Sequence, residues 1–97
     1  MSYDIDIGGR EVNCTYNVSK MFYDWMPDKG IRTIYGLTGQ ESIEVLRSLR
    51  EHLENNRLRM LEMEPGNGWG SLKNTHALIN KMVMLAISYP NEIWAGD

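Results

Sequence analysis

The sequence predicts an α+β fold: a small antiparallel sheet, built from an N-terminal hairpin and a C-terminal strand, packed against three helices. Three observations predict it. Apolar and polar residues alternate on both sides of Gly8-Gly9, the period of a half-buried strand. Three later stretches repeat apolar residues at the spacing of one helix face. Each such face has to be buried, and laying helices over a sheet does so in two layers. At 97 residues the chain forms one domain, 1–97.

The hairpin comes first. Tyr3-Asp4-Ile5-Asp6-Ile7 and the stretch from Arg10 to Tyr16 alternate, and Gly8-Gly9 supplies the positive φ angles of a two-residue loop. Pairing Ile7 with Arg10 sets Ile5 against Val12 and Tyr3 against Cys14, so the apolar side chains share a face. It also sets Asp6 beside Glu11 and Asp4 beside Asn13, where something basic or solvent must answer the like charges.

Asn17 or Ser19 is expected to cap a first helix that turns Val18, Met21, Phe22 and Trp25 inward and ends near Pro27. Ile31-Arg32-Thr33-Ile34-Tyr35, after Gly30, is short and rich in β-branched residues and reads as extended or a turn. Thr38-Gly39-Gln40-Glu41 is a capping box that opens a second helix, running to about Asn55 with Ile43, Leu46, Leu49 and Leu53 as its stripe. Arg57 to Glu64 adds a short helical turn before Pro65-Gly66. Ser71 caps the third helix, which is apolar on most of its circumference from Leu78 to Ile87 and is predicted to lie centrally. Tyr89-Pro90-Asn91 turns the chain, and Glu92-Ile93-Trp94-Ala95 is the expected last strand.

Composition narrows the function classes. A net charge of −3 lacks the broad positive field of non-specific nucleic-acid or membrane-surface binders, so no sequence-specific nucleic acid and no membrane is expected as partner. One cysteine, Cys14, precludes an internal disulfide and a thiolate metal cluster. The longest apolar run, Met82-Val83-Met84-Leu85-Ala86-Ile87, falls far short of the roughly 20 residues a bilayer requires. Met1 to Ile7 carries no secretion pattern, so a cytoplasmic location is expected, and the acceptor-like Asn13-Cys14-Thr15 and Asn17-Val18-Ser19 are read as coincidence.

Two helix openings could carry chemistry. Gly66-Asn67-Gly68-Trp69-Gly70-Ser71 runs glycine-rich into a helix start, where backbone amides at the positive dipole end attract anions, and Trp69 could stack on a base. With Lys73 two residues past Ser71, the spacing is not that of a triphosphate-binding loop. Gly36-Leu37-Thr38-Gly39 opens the second helix in the same manner, just after Arg32 and Tyr35. The candidate ligand-binding set is therefore Arg32, Tyr35, Gly39, Gly68, Trp69, Gly70, Ser71 and Lys73. The plain alternative makes Trp69 a plug at the core edge, Arg32 a surface charge and Tyr35 a half-buried ring.

Other groupings read as structural. Asp4, Asp6 and Glu11 could gather a hard cation but fit a solvated strand face; Arg47, Arg50, Arg57 and Arg59 alternate with acids that can pair with them. Cys14, His52 and His76 are the catalytic candidates, each without a neighbouring base or orienter in the sequence, so no catalytic residue, metal or cofactor is assigned.

From Thr15 to Asp97 the sequence resembles a family of small, uncharacterised proteins encoded by bacteriophages and prophages. The resemblance lies in Thr15-Tyr16-Asn17, in Gly30-Ile31-Arg32-Thr33-Ile34-Tyr35-Gly36 with Thr38-Gly39 and Glu41-Ser42-Ile43, in Asn67-Gly68-Trp69-Gly70, and in Trp94-Ala95-Gly96-Asp97. It implies a bacteriophage or prophage provenance; together with the two helix openings beside Arg32, Tyr35 and Trp69, the expectation is a phage accessory protein in the host cytoplasm that inhibits anti-phage defence by non-catalytic binding. Its partner would be a host nucleotide signal or a host defence protein. The rival expectations are a homo-oligomeric interaction or virion-associated module, suggested by seven methionines and many aromatics on a small chain, and a small enzyme.

Overall fold

The computed structural model describes residues 2–64 and 71–97. Strands β1 (Ser2–Ile7) and β2 (Arg10–Thr15) form the hairpin in the expected register, from Ile7 opposite Arg10 to Tyr3 opposite Cys14. Gly8 and Gly9 take φ of +55° and +78°, the conformation of a tight loop that matches strand twist. On the outer face Asn13 answers Asp4, donating from Nδ2 at 2.6 Å. Tyr3, Ile5, Ile7, Val12 and Cys14 are buried beneath the helices.

Among the described residues there are four α-helices: α1 (Ser19–Trp25), α2 (Gly39–Asn55), α3 (Arg57–Glu62) and α4 (Leu72–Ser88). The additional one, α3, is the turn expected after Arg57. The α2 and α4 starts follow the sequence closely. Thr38 Oγ1 accepts from the Glu41 amide at 3.2 Å while Glu41 Oε1 accepts from the Thr38 amide at 2.9 Å, and Ser71 Oγ accepts from the Asn74 amide at 3.0 Å. Leu46, Leu49 and Leu53 of α2 are fully buried, each stabilising the fold by about 1.5–3 kcal/mol through removal from water.

Four expectations are corrected. Neither Asn17 nor Ser19 caps the first helix: Thr15 Oγ1 accepts from the Asn17 amide and opens a 3-10 turn, Tyr16–Val18, that runs into α1. The Ser19 hydroxyl is engaged instead with Tyr3 Oη at 2.9 Å. The stretch after Gly30 is a 3-10 helix, Gly30–Ile34, whose three-residue repeat puts Ile31 and Ile34 together in the core. Nor is α4 central on all sides. It buries Leu72, Thr75, Ile79, Met82, Val83 and Ala86, but Met84 and Ile87 are 69% and 55% exposed because no element covers that face among the described residues.

The last strand lies further along than expected. β3 is Ala95–Gly96, paired antiparallel with β1 to give the order β2-β1-β3. Residues 92–94 are held elsewhere. Ile93 bridges to Thr38, the Trp94 amide donates to Leu37 O at 2.9 Å, and the Gly36 amide donates to Trp94 O at 2.9 Å. The Trp94 ring is buried against α2, with its Nε1 donating to Ser42 Oγ at 2.7 Å, so a large apolar group enters the core with its one polar atom satisfied.

Candidate functional site

Arg32 and Tyr35 do come together, and what they hold is Asp97. The 3-10 helix presents Arg32 so that its Nε donates to Asp97 Oδ2 at 2.8 Å, while Tyr35 Oη donates to Asp97 Oδ1 at 3.0 Å. The guanidinium lies 4.8 Å above the Tyr3 ring and reaches the hydroxyls of Tyr23 and Tyr16 at 3.4 and 3.5 Å. Asp97 is fixed in turn by its amide, which donates to Asp4 O at 2.8 Å. Burial, and then the neighbouring Asp97 carboxylate, raise the Tyr35 hydroxyl above the usual tyrosine range. Four of the five tyrosines thus surround one arginine whose charge is answered inside the chain. A ligand here would have to displace Asp97.

Gly39 has a packing role. A Cβ at this position would lie 2.3 Å from Tyr89 O and 2.6 Å from Ala86 O, so only glycine lets the start of α2 press against the end of α4. The amides expected to face a ligand are taken: Gly39 N donates to Glu92 O at 2.8 Å and Gln40 N to Pro90 O at 3.0 Å. Acceptance of the Thr38 amide holds the Glu41 carboxyl below the usual range.

The α4 opening is built differently. Ser71 is its cap, and the Leu72 amide donates to Glu64 Oε1 at 2.8 Å, so a carboxylate of the chain itself sits where an anion would bind. Lys73 is exposed and lines an open cleft of about 330 Å³ with Arg57, Leu61, Glu64, Leu72 and His76. Gly68, Trp69 and Gly70 lie outside the described residues.

The openings of α2 and α4 stand apart. Helices α2 and α4 run antiparallel, as fixed by Gly39 against Ala86 at one end and Arg50 Nη1 donating to Asn80 Oδ1 at 3.0 Å midway. From Leu72 to Ala86 the helix rises about 21 Å, so Ser71 and Lys73 stand far from Gly39.

Sequence reasoning missed one constellation. His52, expected to stand alone, has company: its Nε2 lies 2.7 Å from Asp24 Oδ2, which also accepts from Arg59 Nη2 at 2.8 Å. Asp24 is on α1, His52 in the last turn of α2 and Arg59 on α3, so one carboxylate clasps three helices. The hydrogen bonds from Arg59 and then His52 hold the Asp24 carboxyl below its ordinary range. No sequence signal could have shown it, because the partners are 28 and 35 positions away. Cys14 is buried, and desolvation pushes its thiol up to about 12, far from a reactive thiolate. Among the described residues no group of three or more His, Cys, Asp or Glu is placed to hold a metal ion. Comparison with protein-family models, with characterised proteins and with solved structures found no match.

Proposed function

We propose that this chain acts by non-catalytic binding, as a phage accessory protein that inhibits host anti-phage defence by blocking a defence protein in the host cytoplasm. The biological setting comes from the residues that resemble phage- and prophage-encoded proteins. The mode comes from the surface. One observation carries it: Met84 and Ile87 stand exposed one turn apart on α4, with Ile93, 57% exposed, on the segment that lies across the α2 opening. Covering such side chains with a partner removes apolar area from water at about 25 cal/mol per Å². By contrast, the groups suited to gripping a small ligand at Arg32, Tyr35 and Gly39 are bonded within the chain. No helix among the described residues is long and apolar enough to cross a membrane.

The test is the double variant Met84→Asp, Ile87→Asp, expressed in bacteria that carry anti-phage defences and challenged with phage. The wild-type chain is expected to restore plaque formation, and the variant to lose that effect while keeping its melting temperature. A variant with undiminished effect rejects the reading. Light scattering separates foreign partner from self: a dimer that the same substitutions dissociate would make this face a homo-oligomer contact.

A second reading, sequestration of a nucleotide signal, is favoured by Arg57, Lys73 and His76 sharing the cleft at the α4 opening. Calorimetric titration with cyclic di- and trinucleotides and ADP-ribose derivatives is expected to give heat that Lys73→Glu abolishes. Silence across that panel removes it.

A further inference from the structure

β2 is the outer strand of the sheet, and half of its backbone faces away from β1. The two-residue loop makes Ile7 and Arg10 a hydrogen-bonded pair, so bonding alternates from there, and Ile5–Val12 and Tyr3–Cys14 are the next bonded pairs. Glu11 and Asn13 therefore turn their N–H and C=O groups outward. No backbone group bonds to either from outside the hairpin among the described residues.

Helix α4 runs beside this edge in the opposite direction. Near the end of β2, Cys14 and Thr15 share an open cleft of about 150 Å³ with Val18, Thr75 and Leu78. Near its start, Arg10 and Glu11 share one of about 490 Å³ with Lys81, Leu85 and Ser88. Leu78, Lys81, Leu85 and Ser88 fall at alternating spacings of three and four, which is one face of a helix. A strand edge with outward backbone groups thus forms one wall of a groove, and a helix face forms the other.

We propose that this groove takes an extended segment of a partner protein, which adds to the sheet as a strand antiparallel to β2. Main-chain bonds to Glu11 and Asn13 would supply affinity, and alternate side chains of the segment would supply specificity. Residues across from Cys14, Val12 and Arg10 share the α4-facing side of the sheet, because side chains alternate faces along a strand. The wall is Val18 and Leu78 at Cys14 and Leu85 beside Arg10 and Glu11, so the positions across from Cys14 and from Val12, which lies between the two clefts, suit apolar side chains. Across from Arg10 stands Lys81, and Arg10 uses only its Nε, on Tyr89 Oη at 3.2 Å, among the described residues. That position suits a carboxylate. The segment recognised, read from its N-terminus, is apolar, any, apolar, any, acidic.

Charge also favours a foreign segment over a second copy. Pairing β2 with β2 in any register that uses the outward groups places Val12, Cys14 or Tyr16 across Arg10, and none of these is a carboxylate. The groove stands independently of the Met84–Ile87 face, and Met84→Asp with Ile87→Asp leaves all its lining side chains in place.

The experiment is an amide NMR titration of the whole chain with a seven-residue peptide carrying valine at its first and third positions, glutamate at its fifth and threonine elsewhere. A control peptide has lysine at the fifth position. The expected result is a shift and slowed hydrogen exchange at the Glu11 and Asn13 amides with the glutamate peptide, and binding roughly tenfold weaker with the control. Lys81→Glu, an exposed substitution, is expected to reverse that preference. Glu11→Pro removes one outward donor without touching the ladder and is expected to weaken both peptides. No shift on β2 with either peptide, or equal binding of the two, overturns the proposal. Protection of Glu11 and Asn13 that rises with protein concentration alone would assign the edge to a second copy and overturn it as well.

Discussion

The openings of α2 and α4 look alike as sequence, each a glycine-bearing approach with a hydroxyl cap, yet the chain treats them in opposite ways. At α2 the first amides are sealed by the carbonyls of Pro90 and Glu92, and the glycine is pressed against the end of α4. At α4 one movable side chain, Glu64, answers the Leu72 amide beside a cleft that holds Arg57, Lys73 and His76. An anion site at a helix start thus depends less on the residues that cap it than on what the rest of the chain lays across it.

The largest effect is expected where a Cβ is forced into the sealed opening. Gly39→Ala must shift backbone carbonyls and is expected to cost about 2–3 kcal/mol in urea unfolding, against about 1 kcal/mol for Ser71→Ala at the other opening. Equal costs would erase the contrast. Next, Ser42→Ala leaves the buried Trp94 Nε1–H without its acceptor and is expected to cost about 1–3 kcal/mol by the same measurement, which reports how far the seal depends on the indole.

A smaller effect is expected at the clasp. Asp24→Asn should cost about 1 kcal/mol at neutral pH, seen as a lower denaturation midpoint. The folded chain holds the Asp24 carboxyl below its unfolded value, so at acidic pH the unfolded state binds more protons. The contribution is complete above the ordinary carboxylate range and is lost as pH falls through the lowered folded value. The gap between wild type and Asp24→Asn should therefore close as pH falls from about 5 through that lowered value. A gap that stays constant would mean that the carboxylate is not the clasp. Smallest in stability, Glu64→Gln is expected to cost a few tenths of a kcal/mol. In the same variant inorganic phosphate should perturb the Lys73 and His76 resonances more strongly than in the wild type, while the α2 opening stays silent.

Much of the fold was legible because its signals are local. Gly8-Gly9 fixes the loop, the loop fixes the register, and the register decides which of Tyr3, Ile5, Val12 and Cys14 face inward. Thr38 with Glu41, and Ser71, mark helix starts through bonds that span three residues. What misled was competition at long range. The hydroxyl of Ser19 is drawn to Tyr3 rather than to its own helix, and residues 92–94 go to the α2 opening before they can extend β3. The candidate site suffered most. Arg32 and Tyr35 find Asp97 across 65 and 62 positions, and Asp24 finds Arg59 across 35, so no spacing rule could have joined them.

The segment from Pro90 to Asp97 has a consequence for how the molecule is made. It supplies the carbonyls over α2, the indole beneath Ser42, the third strand and the counterion of Arg32. All of these partners leave the ribosome earlier. The hairpin and the helices therefore cannot complete the core until translation delivers this closing stitch.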